Sequence, residues 1–175
     1  MVKKIILIFI SAMGVLLACA VIYNFLPEEK LQRNDKIDKI IVVKSLRKME
    51  VYSNGKLLKV YNIAVSRNSI GDKQFEGDEK TPEGIYFIND KNPNSGYHKN
   101  LGISYPDSTD IKEAGLLNKP AGGDIKIHGI RNYMGFIGKF HRLRDWTRGC
   151  IAVTDEEIDE IYEHTPIGTP IEIKP

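Results

Sequence analysis

The sequence predicts a mainly β domain with one or two short helices, preceded by an N-terminal apolar helix. An uncharged run extends from Ile5 to Leu26. From Ile37 onwards, apolar residues fall in short runs, some with the two-residue alternation of half-buried strands. Near the end of the chain, Thr154 and Glu157 have the spacing of a helix capping box. Together these observations predict one strand-rich domain behind a membrane or signal segment.

The composition excludes several classes of protein. Of the 175 residues, 27% are charged and 42% are hydrophobic, which is typical of a globular domain. The two cysteines, Cys19 and Cys150, are too few for a disulfide-dense scaffold or a four-cysteine zinc site. Residues 1–26 contain two lysines and no acidic residue, which leaves 23 of the 25 basic residues against 23 acidic residues in the rest. Because this remainder has no net charge, no nucleic-acid partner is expected.

The segment 1–26 is predicted to be a membrane anchor or a signal segment. At ~1.5 Å per residue, its 22 uncharged residues reach ~33 Å, enough to cross a bilayer core. Lys3 and Lys4 favour an N-terminus on the cytoplasmic side. A cleaved secretory signal, or a lipoprotein signal with the loose lipobox Leu16–Cys19, are the alternatives. All three place the remainder of the chain outside the cytoplasm.

Residues 27–36 are polar and are predicted to be a linker, whereas residues 37–175 are predicted to form one domain. Asn54-Gly55 lies between two apolar runs, which indicates a β-hairpin with a type I′ turn. Strands are expected at 40–43, 49–52, 57–61 with 63–65 as an extension, 85–88, 101–105, 124–128, 150–153 and 171–173. Loops are expected at 66–83 and 89–100, a short helix at 108–117, and a second helix from Thr154 to the breakers Pro166 and Gly168.

Cys150 is the only thiol of the predicted domain, because Cys19 lies within the apolar segment. A lone thiol outside the cytoplasm is either a buried structural residue or a reactive one. Gly149 would allow a substrate close to the backbone, and the charge of Arg148 is expected to favour the thiolate. His128 ends a predicted strand, and a Cys–His pair is the minimum for nucleophilic catalysis by a thiol. The two residues form one site only if their strands are neighbours.

Three motifs carry a resemblance to a known family. Thr81-Pro82-Glu83-Gly84 is followed by Ile127-His128-Gly129 and then by Thr147-Arg148-Gly149-Cys150-Ile151. Together they resemble the L,D-transpeptidase catalytic domain, also called the YkuD-type domain, and residues 168–173 resemble its closing strand. The resemblance covers residues 37–175 and implies a β-sandwich-like fold. The family pattern has a histidine in place of Arg148 and a shorter gap before the cysteine, so the D-W-T-x-G-C sequence here looks like that of a subgroup.

The resemblance implies a peptidoglycan L,D-transpeptidase that needs no cofactor and no metal and acts on stem peptides. Cys150 would attack the carbonyl of the third residue of a tetrapeptide stem, and D-alanine would leave. His128 would either take the thiol proton or hold a thiolate–imidazolium pair with Cys150. An acceptor amine would complete a 3→3 crosslink, whereas water would make the protein a carboxypeptidase. The N–H groups of Gly149 and Cys150, with help from Arg148, would stabilise the oxyanion. The carbonyl of Gly129 would orient His128.

Other residues near the motifs have alternative roles. Thr147 and Trp146 are assigned to substrate binding, with core packing an equal alternative for Trp146. Asp145 is predicted to form a turn or a salt bridge, with orientation of a histidine or an arginine as the alternative. His141 is predicted to be structural or at the surface, with catalysis as the alternative, and Tyr97 to pack within the protein. Four arginines concentrate positive charge between the two motif pieces, either as a solvated face or as a site for stem carboxylates: Arg131, Arg142, Arg144 and Arg148.

Three other classes of protein compete with this interpretation. A sortase is also a membrane-anchored cysteine transpeptidase, but sortases need an arginine after the cysteine, and no arginine follows Cys150. A hydrolase on the same fold would trim D-alanine or release an attached protein. A non-catalytic wall-binding module is suggested by Arg148 in place of the motif histidine, and the presence of Cys150 and His128 argues against it.

Overall fold

A computed structural model describes residues 2–175 of the chain. Within these residues there are eight β-strands, three α-helices and one 3₁₀ segment. The helices are α1 (Val2–Phe25), α2 (Ser108–Leu116) and α3 (Asp155–His164), and the 3₁₀ segment spans Gly135–Leu143. The strands are β1 (Lys39–Val43), β2 (Lys48–Ser53), β3 (Lys56–Asn62), β4 (Gly84–Ser95), β5 (His98–Ile103), β6 (Lys126–His128), β7 (Ile151–Ala152) and β8 (Pro170–Lys174).

The strands of the described chain form one curled sheet in the order β3-β2-β1-β8-β4-β5-β6-β7. The β1–β8 and β6–β7 pairs are parallel, and the other neighbours are antiparallel. After β3 the chain returns to the opposite edge, where Ala64 exchanges two backbone hydrogen bonds of 2.8 and 2.9 Å with Ala152. Ser66 forms a second bridge, to Thr147. The two ends of the strand order therefore meet, which confirms the mainly β, sandwich-like prediction.

The core lies between the curled sheet and α3. Ile40 pairs with Ile171 and Val42 with Ile173 across the parallel β1–β8 pair, and all four side chains are buried. Full burial of such a side chain stabilises the fold by ~1.5–3 kcal/mol. α3 packs on β5 and β6 and buries Ile158 completely. The alternation of apolar residues along the strands thus supplies the core that supports β6 and β7.

The predicted helices are present, and their caps explain where they begin. The hydroxyl oxygen of Thr154 accepts the N–H of Glu157 at 3.3 Å, and the Glu157 carboxylate accepts the N–H of Thr154 at 2.9 Å. This is the capping box expected for α3. α2 begins with a second capping box, formed by Asp107 and Asp110.

α1 coincides with the predicted apolar segment, and its window of highest hydropathy has no buried residue. The helix is long and apolar enough to cross a membrane, and a signal sequence near an N-terminus has the same length and composition. Residues 27–36 have no helix or strand. They are nevertheless held to the domain, since the backbone N–H of Leu31 donates to Glu160 at 2.5 Å.

The prediction of a loop over residues 89–100 is wrong. β4 continues to Ser95 and β5 begins at His98, so these residues form a hairpin. The polar segment gives no alternating pattern, and the pairing is interrupted by register shifts between Ile88 and Asp90 and again beyond Asn92. The second half of β4 is therefore a strand because its backbone pairs with β5, and its side chains show no pattern that would predict it.

Three smaller differences concern the elements around the site. β3 ends at Asn62, so residues 63–65 do not extend it. β6 begins at Lys126 rather than at Asp124, whose φ of 63° lies in the left-handed region. The 3₁₀ segment was not predicted, because the non-helical Gly138 divides it into two pieces that are each too short to be recognised as a helix from the sequence.

Candidate active site

The parallel pairing of β6 and β7 brings the two motif pieces together. Ile127 pairs with Ile151 and His128 with Ala152. Extending this register by one residue aligns Cys150 with Lys126. Lys126 and His128 are two residues apart on β6, so their side chains and that of Cys150 are on the same face of the sheet. His128 and Cys150 accordingly line one cavity of about 1340 Å³. The condition for a single site, that the two strands are neighbours, is met.

His128 is held in one orientation by the backbone. Its Nδ1 lies 2.7 Å from the carbonyl oxygen of Gly129, so Nδ1–H donates and Nε2 is left as an acceptor. Burial lowers the pKa of His128 to about 4, against the opposing effect of the Gly129 hydrogen bond. A Cβ at Gly129 would lie 2.7 Å from Asp155 Oδ1, so a glycine is needed beside the histidine. Because of its low pKa, the His128 ring is neutral at pH 7, and its Nε2 can accept a proton.

The surroundings of Cys150 disfavour its thiolate form. Burial raises the pKa of Cys150, and the N–H of Lys126 acts in the opposite direction. The thiol donates to the carbonyl oxygen of Asp124, with Sγ 3.6 Å away. Thiol and imidazole are thus both uncharged at neutral pH, which differs from the expected thiolate beside Arg148.

Arg148 lies further into solvent than its position beside Cys150 suggested. Its side chain is 81% exposed, and its Nε lies 3.8 Å from Glu79 Oε1. The cations that act on the pKa of Cys150 are Lys126 and Lys73. Arg148 does line the cavity, so its position suits contact with a substrate better than activation of the thiol.

Gly149 and Thr147 shape the turn before Cys150. Gly149 has φ +137°, and a Cβ there would lie 3.0 Å from the carbonyl oxygen of Lys80. Close packing of the protein itself therefore requires this glycine. The Thr147 hydroxyl donates to the carbonyl of Cys150 at 2.7 Å and accepts the N–H of Gly149 at 3.3 Å. Thr147 is buried, and its hydroxyl is used within the turn.

An aromatic wall stands beside the imidazole. The Trp146 ring meets His128 edge-on at 5.6 Å between centroids, and Tyr97 lies 4.7 Å from His128. Tyr97 and Trp146 stack at 6.1 Å. Trp146 thus lines the cavity, which agrees with its assignment to substrate binding rather than to core packing. Tyr97, which the sequence predicts to pack within the protein, lines the cavity because the hairpin of β4 and β5 carries it to His128.

His141 is a second buried histidine of the cavity. Trp146 Nε1–H donates to its Nδ1 at 3.4 Å, and its Nε2 is buried without a hydrogen-bond partner among the described residues. Burial, with a smaller effect of Arg142, lowers the pKa of His141 to about 3. The structural interpretation of His141 is supported, whereas a surface position is not.

The remaining charged candidates divide into structural and cavity-lining groups. Asp145 accepts from Arg47 Nε at 2.9 and 3.0 Å and from the Val65 N–H at 3.1 Å, which confirms the predicted salt bridge. Arg142 is committed to Glu157, at 2.5 Å. Three arginines line the cavity, one of which the sequence did not single out: Arg67, Arg131 and Arg148.

Comparison with known proteins agrees with this geometry. The model of the YkuD family, the L,D-transpeptidase catalytic domain, matches residues 37–173. The Escherichia coli (strain K12) protein YafK is 29% identical over 132 residues, which are 71% of this chain and 45% of YafK. The Bacillus subtilis (strain 168) protein YqjB is 28% identical over 135 residues, 75% of this chain and 68% of YqjB. Both relatives are named provisionally as L,D-transpeptidases, and this chain spans just under half the length of YafK.

A solved structure has the same fold. The helical cell shape determining protein Pgp2 from Campylobacter jejuni superimposes with a TM-score of 0.59 at 24% identity, over 87% of this chain and 53% of that chain. Because the family model matches most of the chain, including both motif pieces of the cavity, the chain belongs to the L,D-transpeptidase (YkuD) catalytic domain family.

Proposed function

We propose that this chain is a cysteine-dependent L,D-transpeptidase that crosslinks peptidoglycan stem peptides outside the cytoplasm. The observation that carries the proposal is the shared face of β6 and β7, where Cys150 and His128 line one cavity. The contact of His128 Nδ1 with Gly129 supports it, because it leaves Nε2 to receive the thiol proton. Membership of the family supports the substrate class.

In the first half-reaction, Cys150 Sγ attacks the carbonyl carbon of the third residue of a tetrapeptide stem. The thiol proton passes to His128 Nε2 as the bond forms, because both groups start uncharged. The N–H groups of Cys150 and Gly149 stabilise the oxyanion, and the Gly149 N–H leaves its long 3.3 Å contact with Thr147 to do so. The C–N bond breaks, the D-alanine amine takes the proton from His128, and a thioester remains on Cys150.

In the second half-reaction, an amine of another stem attacks the thioester. His128 takes a proton from the attacking amine, the C–S bond breaks, and the departing sulfur of Cys150 regains the proton. The product is a 3→3 crosslink. Water in place of the amine would release a tripeptide, so the same residues would then act as a carboxypeptidase.

The lining of the cavity suits an anionic, extended peptide. Arg67, Arg131 and Arg148 line it, and guanidinium groups pair well with carboxylates. Trp146 and Tyr97 provide an apolar wall against which the stem can lie. We therefore assign Arg148 and Trp146 to substrate binding, and Thr147 to positioning of the Cys150 turn.

The chain's proposed arrangement is an anchored catalytic domain. Residues 1–26 are retained in the cytoplasmic membrane, residues 27–36 connect, and residues 37–175 act outside the cytoplasm. The length and apolar composition of α1 support this arrangement. No cofactor or metal enters the proposed reaction.

The test is turnover of disaccharide-tetrapeptide by the full chain in detergent, with products followed by mass spectrometry. A dimer lacking one D-alanine is expected, and a tripeptide alone would identify a hydrolase. Cys150→Ala is expected to abolish turnover, and Cys19→Ala is the matched control, since Cys19 is the other free cysteine and lies in α1. Substrate binding without any turnover by the wild-type chain would favour the wall-binding module. Full turnover by Cys150→Ala would refute the mechanism.

A further inference from the structure

The last turn of α1 is bound by the 3₁₀ segment. Asn24 is only 5% exposed, although its neighbours Tyr23 and Phe25 are 55% and 65% exposed. Its side-chain amide donates to the carbonyl of Phe136 at 3.4 Å, and its Oδ1 accepts the N–H of Phe140 at 3.1 Å. Both hydrogen-bonding groups of the amide are therefore satisfied by the protein, as burial of a polar side chain requires. The apolar neighbours stay exposed while the polar side chain is enclosed by protein.

Lys139 and Gly138 show that this contact is specifically built. Lys139 Nζ donates to the carbonyl of Leu26 at 2.8 Å and lies 3.1 Å from Glu28 Oε1. Gly138 has φ +50°, and a Cβ there would lie 2.9 Å from Asn24 Nδ2. The segment therefore approaches the helix at a position that only a glycine allows, and it is held there by the partly buried Lys139.

The same stretch of chain forms one wall of the catalytic cavity and carries exposed aromatic side chains. Ile137 and His141 line the cavity together with Cys150. Phe136 is 67% exposed, and Tyr133, just before the segment, is 99% exposed. One element thus touches the anchor, the cavity and solvent at once.

We propose that the 3₁₀ segment rests on the outer surface of the membrane, with Phe136 and Tyr133 among the lipid headgroups, so that the catalytic cavity is held at the membrane surface. The apolar run ends at Leu26, just after the end of α1, and the segment contacts residues 24–28. It therefore lies at the level where the span leaves the bilayer, the depth that aromatic side chains favour. The partner is the lipid surface, and the inference rests on the proposed retention of α1.

The contact with the anchor is tested by hydrogen exchange of the full chain in lipid vesicles. Asn24→Leu keeps the span apolar and removes the acceptor of the Phe140 N–H. Exchange in the peptide containing Phe140 is expected to be about fivefold faster or more. Ser11→Leu, an exposed position on the same helix, is the matched control and is expected to leave exchange unchanged. Unchanged exchange in Asn24→Leu would overturn the docking of α1.

Contact with lipid is tested by fluorescence quenching. Phe136→Trp and Leu116→Trp place a tryptophan at two exposed positions, on the 3₁₀ segment and on α2, and the wild-type signal of Trp146 serves as the blank. In phosphatidylcholine vesicles with brominated acyl chains, quenching is expected to be about threefold stronger at 136 than at 116. Equal quenching would overturn the proposal.

Two further readouts separate this proposal from the proposed function. Resistance of the chain to alkaline carbonate extraction reports retention of α1, and an extractable chain would overturn both the anchor and the membrane contact. Turnover of the tetrapeptide in detergent reports the catalytic function independently of lipid. Neither quenching nor hydrogen exchange depends on that turnover.

Discussion

The state of the thiol before reaction is the sharpest consequence of the site geometry. A free thiol with a pKa of ~8.5 is about 3% thiolate at pH 7. Burial raises the pKa of Cys150 above its usual range, so its thiolate fraction lies below that value. A thiolate–imidazolium pair with a thiol pKa of ~4 would instead be almost fully ionised. The two states differ by at least about 30-fold in the concentration of the thiolate.

The assay is alkylation of Cys150 by iodoacetamide between pH 5 and pH 9. The Cys19→Ala chain is used, so that Cys150 is the only thiol. The rate constant is expected to rise about tenfold per pH unit from pH 6 to pH 8, without an acid plateau, because only the thiolate reacts. His128→Ala is expected to lose turnover but to change the alkylation profile by less than about threefold, because a neutral imidazole does not stabilise a thiolate. A plateau that persists down to pH 5 would refute the neutral pair.

Three further predictions concern stability, measured by chemical denaturation of the full chain in detergent. Gly149→Ala is expected to lower the free energy of unfolding by about 1–3 kcal/mol, and by more than the control Gly55→Ala. Both glycines have positive φ, but only a Cβ at position 149 would meet neighbouring atoms. Equal losses in the two variants would contradict this reasoning. The pKa values of His128 and His141 fall to about 4 and about 3, so unfolding takes up protons below pH 6.5. The contribution of the two neutral histidines to the free energy of unfolding is therefore fully present above pH 6.5. At pH 4.5 the free energy of unfolding is expected to be lower by about 2–3 kcal/mol per histidine. If a His141→Gln chain lost as much stability between these pH values as the wild type, the histidines would not be the origin of the loss. Thr154→Ala is expected to cost about 1 kcal/mol through loss of the α3 cap, and an unchanged free energy would exclude that role.

Residues with local signals were predicted well. The capping box at Thr154 defines the start of α3, and Asn54-Gly55 forms the turn between β2 and β3. The apolar run corresponds to α1. Each of these features depends on residues close together in the chain, so the sequence contains the physical information that specifies it.

Features that depend on distant partners could not be predicted in the same way. The hairpin of β4 and β5 contains polar residues that pair through their backbones, and it carries Tyr97 to His128. The 3₁₀ segment is broken at Gly138 into two short pieces, and it binds Asn24 of α1, which is more than a hundred residues away in the chain. Arg148 was expected to act on the sulfur from its position in the chain, but its side chain extends into solvent.

The sequence by itself determined the catalytic candidates, the apolar span and a mainly β domain, because these follow from residue types, local patterns and ordered motifs. The tertiary structure decided that His128 and Cys150 share a cavity, because the parallel pairing of β6 and β7 joins segments more than twenty residues apart. It also decided the direction in which each pKa shifts, since the desolvation that shifts a pKa depends on what the fold packs around each side chain.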